Sequence, residues 1–241
     1  MEIFLELEVK KLEMPKDYAP AFVSFLKHSI SEYDENLFNK LYINKADNEK
    51  DFCFCVRFDK PEFEGDIIKL NSNAVQMKMS ILNPMVGIDL YNAFLNQKYK
   101  EYPFPNGNKI SLKKLKMQNH RKISSNKVLI KMCSPLLVRK HERGADTYLA
   151  YNDVDFIKYF QISIKTMLKN LGLGILEEQI EITPIKPFKT VVNTFGNKIT
   201  GNVGIYQLTG DVHILNLLYQ LGIGSRRSQG FGMYEIVSEV K

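Results

Sequence analysis

The residues with the most chemical content lie near the carboxyl end, in Gly222-Ile223-Gly224-Ser225-Arg226-Arg227-Ser228-Gln229-Gly230-Phe231-Gly232. Glycines at Gly222, Gly224, Gly230 and Gly232 permit backbone angles and close approaches denied to other residues. Backbone N–H groups of such a turn can cradle a phosphate, while Arg226 and Arg227 supply charge and paired donors and Ser225 and Gln229 supply neutral ones. No Gly-Lys-Ser/Thr ends the loop, so it is not a Walker loop. It follows a helical pattern and precedes a strand, the reverse of the dinucleotide fingerprint. The bland alternative is a flexible connector, and two arginines between paired glycines weigh against it.

Histidine titrates closest to neutral pH and suits proton transfer. The four histidines are His28, His120, His141 and His213. His28 falls on the flank of a helical stretch away from its apolar stripe, with Lys27 beside it. His120 sits among Asn119, Arg121 and Lys122, and His141 follows Val138-Arg139-Lys140. Both read as contacts to a polyanion. His213, at the start of the last helical pattern, is expected near the glycine-rich loop and ranks second for proton transfer.

Net charge is +6. From Tyr102 to His141 no Asp or Glu occurs, while Lys109, Lys113, Lys114, Lys116, Arg121, Lys122, Lys127, Lys131, Arg139 and Lys140 fall inside. Soluble proteins normally intersperse charges, so a one-sign run of this length points to a polyanionic partner, although a solvated face has the same signature. Three cysteines occur. Cys53 and Cys55, two apart on a strand pattern, share a face and cannot easily bridge. With no CxxC or HxxxH pair, no metal or other cofactor is expected. No apolar run reaches the roughly 20 residues of a membrane span, and the first residues lack a secretion-signal layout. A cytoplasmic protein with no membrane role is expected.

The elements that must hold these groups follow from periodicity. Residues 2–10 alternate Ile3, Leu5, Leu7 and Val9 as a half-buried strand. A helix opened by Pro15 to Tyr18 carries Phe22, Phe25, Leu26, Ser29 and Ile30 on one stripe. A second helical stretch covers Glu35 to Tyr42. Strands follow at Phe52–Phe58, Ile67–Leu70 and Val75–Leu82, then a helix behind Pro84, then the basic strand KISLKKLKMQ. Strand, helix, strand, strand, helix, strand is the ferredoxin-like order. It repeats. Lys127–Met132 is strand-like and the Ser134–Val138 segment continues extended. A helix capped by Asn152 or Asp153 carries Phe156, Phe160, Ile164 and Leu168 and closes at Gly172. Strands at Gln179–Val192 and Asn202–Leu208, a helix from Asp211 to Gln220 and a strand at Met233–Val237 complete it. The expected class is α+β, with tandem ferredoxin-like (RRM-like) βαββαβ domains over residues 1–124 and 125–241. An RRM-type aromatic motif on the central strands is absent.

The Gly-x-Gly, short basic stretch and Gly-Phe-Gly of 222–232 resemble the signature of the CRISPR-associated repeat endoribonucleases of the RAMP superfamily. The opening strand, the Tyr18–Ile30 helix, FCFCVRF, EFEGD, Ser134–Val138 and the total length agree with it. The resemblance implies two ferredoxin-like domains and a partner RNA, the CRISPR repeat transcript and its mature guide, with other effector-complex subunits as further partners. It implies metal-independent attack by a ribose 2′-hydroxyl, leaving a 2′,3′-cyclic phosphate and a 5′-hydroxyl. Such chemistry needs a base, an acid and cations for the developing phosphorane charge. The family places its histidine in or just after the first helix, which points to His28, with Lys27, Lys45 or Lys50 as the cation. Relatives with the histidine after the helix would carry it around Tyr42 to Asn44, where this chain has none. RNA contacts are expected from Ser225, Arg226, Arg227, Gln229, Lys113, Lys114, Lys116, His120, Arg121, Lys122, Arg139 and His141. Non-cleaving relatives with similar loops make an RNA-binding subunit of an effector complex the alternative. A small-anion-binding regulatory module is a third reading.

Overall fold

The structure is a computed structural model, and it describes residues 1–44, 49–142, 144–173 and 180–240. The first lobe contains β1 (Glu2–Val9), α1 (Ala19–Tyr33), β2 (Phe52–Phe58), β3 (Ala74–Ile81), α2 (Pro84–Asn96) and β4 (Asn108–Gln118). Its antiparallel sheet runs β2–β3–β1–β4, with Glu101–Phe104 added outside β4. The second lobe contains β5 (Lys127–Met132), α3 (Phe156–Asn170), β6 (Glu181–Thr194), β7 (Asn197–Thr209), α4 (Val212–Leu221) and β8 (Tyr234–Glu239). Its sheet runs β6–β7–β5–β8. Each lobe is ferredoxin-like: the first and third strands lie at the centre, flanked by the second and fourth.

Alternation decides the sheet faces. Ile3, Leu5, Leu7 and Val9 of β1 turn inward against α1 and α2, and all are buried. On α1 the stripe Phe22, Phe25, Leu26, Ser29 and Ile30 is buried with them. Each such large apolar side chain contributes roughly 2 kcal/mol through burial. This helix starts at Ala19 and has Pro20 in its first turn, where the missing N–H costs nothing. Pro15 instead ends a short strand, Glu13–Pro15, paired with Ile67–Lys69. Asn83 caps α2 by accepting from the Met85 N–H, and Asp211 caps α4 by accepting from that of Ile214.

Two local expectations are corrected. Neither Asn152 nor Asp153 caps α3: Asp155 is at the cap position, its carboxylate accepting from Lys140 and not from the helix backbone, and the Asp153 carboxylate accepts instead from the Ala150 N–H at 2.6 Å. The Ser134–Val138 segment does not run on as an extended strand. It bridges only at Leu136–Asn202, then leads into a hairpin, Val138–Glu142 with Ala145–Leu149. Buried Asn202 of β7 anchors this hairpin, its Nδ2 donating to Leu136 O and Leu149 O and its Oδ1 accepting from Tyr151 N.

Separate apolar cores fill the lobes, one from Ile3 to Leu112 and the other from Ile123 to Tyr234. No described helix is long and apolar enough to cross a membrane.

Candidate nucleic-acid interface

The glycine-rich loop runs from the end of α4 to β8 along the seam between the lobes. Gly222, Gly224, Gly230 and Gly232 all have positive φ. A Cβ on Gly232 would lie 1.9 Å from Ile223 O, and one on Gly224 would lie 2.6 Å from Leu137 O. Gly222 and Gly230 lie against Cys53 and Phe54 of β2. Several N–H groups expected to cradle phosphate are spent within the protein: Ile223 on Gly232 O, Ser225 on Leu137 O, Gln229 on Arg226 O and Gly232 on Pro135 O. Gly222 and Gly230 serve close packing between lobes and Gly224 and Gly232 close packing within the second, and the loop leaves fewer backbone donors for a ligand than the sequence suggests.

The two arginines have separate tasks, which corrects the expectation that both face a ligand. Arg227 is 3% exposed. Its guanidinium donates to Leu221 O at 2.5 Å, to Glu49 Oε2 at 2.7 Å and to Lys50 O at 3.3 Å. It fastens the loop to the start of β2. Arg226 adopts a left-handed conformation at φ +58°, and its Nε donates to Tyr148 Oη at 2.8 Å while the guanidinium lies over that ring.

A cleft of about 600 Å³ opens beside the loop. The first lobe contributes Val23 and Lys27 of α1, Tyr42, Glu49 and Lys50. The second contributes Ser225 to Gln229, Arg139 and Phe195 from the tip of the β6–β7 hairpin. Lys27 and Lys50 hold their ammonium groups 4.9 Å and 5.6 Å from the centre of the Tyr42 ring. Burial drives the Tyr42 hydroxyl far above the ordinary tyrosine range, so the ring stays neutral between its two cations. Arg139 pairs with Asp146 at 3.4 Å on the hairpin rim. The arrangement offers ammonium, guanidinium and hydroxyl groups to an anion from both sides. Lys45 lies outside the described residues.

His28 does not line this cleft. It is half-buried on the adjacent flank of α1, its ring 4.9 Å from that of Tyr102. His213 is exposed at the first turn of α4, whereas the loop leaves the last turn. Nine residues at 1.5 Å rise separate it from Gly222 by about 13 Å, which corrects its expected proximity. His120 is corrected as well, because it turns inward. Its Nε2 meets Ser80 Oγ at 2.6 Å, its Nδ1 meets the Met1 amino nitrogen at 2.5 Å, and its ring meets Tyr219 edge-on. Burial and the neighbouring ammonium lower its pKa to about 4. His141 stays exposed on the hairpin, its Nδ1 2.7 Å from Asp146 Oδ1, and that contact depresses the Asp146 carboxyl.

The basic strand β4 stands apart from the cleft. Lys114 pairs with Glu6 at 3.0 Å, and Lys113, the extra residue of a bulge, with Glu8 at 3.7 Å. Lys109 pairs with Glu101, whose carboxyl is held down at about 2 by Lys10 and Lys109. Lys114 and Lys116 line a second groove, of about 320 Å³, with Phe4, Arg57 and Lys78 on the open face of the first sheet. Arg121 reaches Glu239 at 3.3 Å, and Lys122 is exposed beside it. Sequence reasoning missed Tyr42, Glu49 and Tyr148. Nothing in the local sequence marks Glu49 or Tyr148, and Tyr42 was visible only as an aromatic ending a helical run.

Residues 115–236 match the family described as CRISPR associated protein Cas6, C-terminal. Three solved structures share the fold over nearly all of both chains. One, described as a Cas6-related gene from Pyrococcus furiosus, is 18% identical, covers 100% of this chain and 99% of its own, and has a TM-score of 0.86. Another, described as a RAMP protein binding different RNA substrates, is 17% identical over 99% and 100%, with a TM-score of 0.85. A Cas6 product complex is 13% identical over 98% and 99%, with a TM-score of 0.73. No curated protein matches the chain in sequence.

Proposed function

Because the chain belongs to the CRISPR-associated protein Cas6 family, we propose that it is an endoribonuclease that cuts precursor CRISPR RNA within its repeats. Residues 1–124 and 125–241 would form its two lobes, and the RNA would lie across their seam. The observation that carries this reading is the cleft, where Lys27 and Lys50 of one lobe face Ser225, Arg226 and Gln229 of the other. A phosphodiester seated there meets cations on both sides, in the arrangement that stabilises a phosphorane as charge gathers on its oxygens. Attack by the neighbouring 2′-hydroxyl would leave a 2′,3′-cyclic phosphate and a 5′-hydroxyl. His28 is the group for proton transfer, and to serve there it must leave the Tyr102 ring for the cleft side of α1. The product complex and the RNA-binding RAMP protein of the same fold are consistent with such a substrate.

Incubating the purified protein with repeat RNA in EDTA and identifying both new termini tests the reading. A cyclic phosphate and a 5′-hydroxyl are expected, while intact RNA or a 3′-hydroxyl end overturns it. A second reading is favoured by one observation: among the described residues no histidine lines the cleft. The protein would then be a non-catalytic RNA-binding subunit of a CRISPR effector complex. His28→Ala separates the two. It abolishes cutting and spares binding on the first reading, and on the second there is no cutting to lose.

A further inference from the structure

The lobes also meet through a small sulfur cluster: Cys53, Cys55 and Met233, with Cys133 packed against them. All three cysteines are free thiols. Cys53 and Cys55 are buried on β2, whereas Cys133, just past β5, is only half-buried. Cys133 packs against Cys55 across the seam, and the contact between the two thiols favours the proton on Cys55 over Cys133. Lys78 lies directly opposite Cys55 in the β2–β3 register, and Lys78 and Arg57 both favour negative charge on Cys133. The Cys133 backbone is fixed by its N–H on Met233 O at 2.8 Å. The Cys53 sulfur also packs on Gly222, at the end of the last helix.

We propose that Cys133 and Cys55 form an oxidative modification site, in which a small peroxide oxidises Cys133 and Cys55 then closes a disulfide between the two lobes. The Cys133 thiolate attacks one peroxide oxygen, the O–O bond breaks, and the departing hydroxide takes a proton to become water. Cys55 gives up its proton and attacks the sulfenic sulfur; the S–O bond breaks and the second oxygen leaves as water. One peroxide is reduced to two waters as two thiols become one disulfide.

The chemistry favours this order. The contact with the Cys55 thiol, against burial and Glu235 and helped by Lys78 and Arg57, draws Cys133 below the ordinary thiol range, while burial pushes Cys53 up to about 12. The thiolate is the reactive form, so the partly open cysteine is attacked first and the buried one resolves it. The site uses neither the cleft nor any residue assigned there, and the proposal stands independently of the RNA reading.

The test treats the full-length native protein with excess hydrogen peroxide, blocks remaining thiols and maps the linkages by peptide mass spectrometry. A Cys55–Cys133 linked peptide that thiol reductant reverses is expected, and it persists in Cys53→Ser. Cys133 is expected to oxidise at least about tenfold faster than Cys53. In Cys55→Ser, Cys133 accumulates as a sulfenic acid captured by dimedone. Should Cys55→Ser fail to fold, the wild-type linkage still decides. A disulfide through Cys53, Cys133 carried to sulfinic acid in the wild type without a linkage, or equal rates at Cys133 and Cys53 overturns the proposal.

Discussion

Strand β4 and the cleft beside the glycine-rich loop are both rich in cations, yet they are electrostatically different places. On β4 the lysines face glutamates of β1 across the sheet, at Lys114–Glu6 and Lys113–Glu8, and Lys109 faces Glu101. In the cleft, Lys27 and Arg226 lie against the rings of Tyr42 and Tyr148. A tyrosine face holds a cation without cancelling its charge, whereas a carboxylate cancels it. Density of basic residues along a chain is therefore a poor measure of the field they present. What counts is the residue across the strand or across the seam.

The sharpest break of this comparison would come from Arg227, the loop cation that a carboxylate does cancel. Arg227→Ala leaves the buried Leu221 O and the partly solvated Glu49 without their partner and is expected to cost about 2–3 kcal/mol in denaturant unfolding. Arg226→Ala should cost under about 1 kcal/mol, as expected of a partly solvated contact. Equal costs would erase the distinction between fastener and rim.

Next in size, Lys27→Ala with Arg226→Ala should weaken repeat-RNA binding by at least about tenfold and lower the salt slope by about two units. Lys114→Ala with Lys116→Ala should lower that slope by less than about one unit. A larger effect from the β4 pair, measured by titration at several salt concentrations, would move the main phosphate track to the open sheet face.

The smallest effect concerns His120, the one member of the basic run that turns inward. Its folded pKa, about 4, lies below its ordinary value of 6.5. The unfolded chain therefore binds the proton more tightly, and stability falls as pH drops from 6.5 towards 4, with no further loss from this group below that. His120→Gln should flatten that window in a pH series of unfolding midpoints. An unchanged slope would mean that the ring is solvated.

Much of the architecture was legible because strand alternation and helical stripes are local patterns. Ile3–Val9, the Phe22–Ile30 stripe and the helix from Asp211 to Gln220 could each be read from one local pattern. The site was less legible because its distinctions are non-local. Arg226 and Arg227 are neighbours in sequence, but the left-handed backbone of Arg226 itself sends one side chain to Tyr148 and the other to Glu49, 178 positions away. His213 looked close to the loop only because α4 is short in sequence; in space the helix holds the two at opposite ends. The hairpin that delivers Arg139 was hidden because its anchor, Asn202, lies far along the chain.

The contact between Gly232 and Ile223 O leaves the loop no room for even one added methyl group. A turn held that tightly works as a fixed jaw. On the proposed reading, an RNA strand seated beside it takes up the shape that the loop presents.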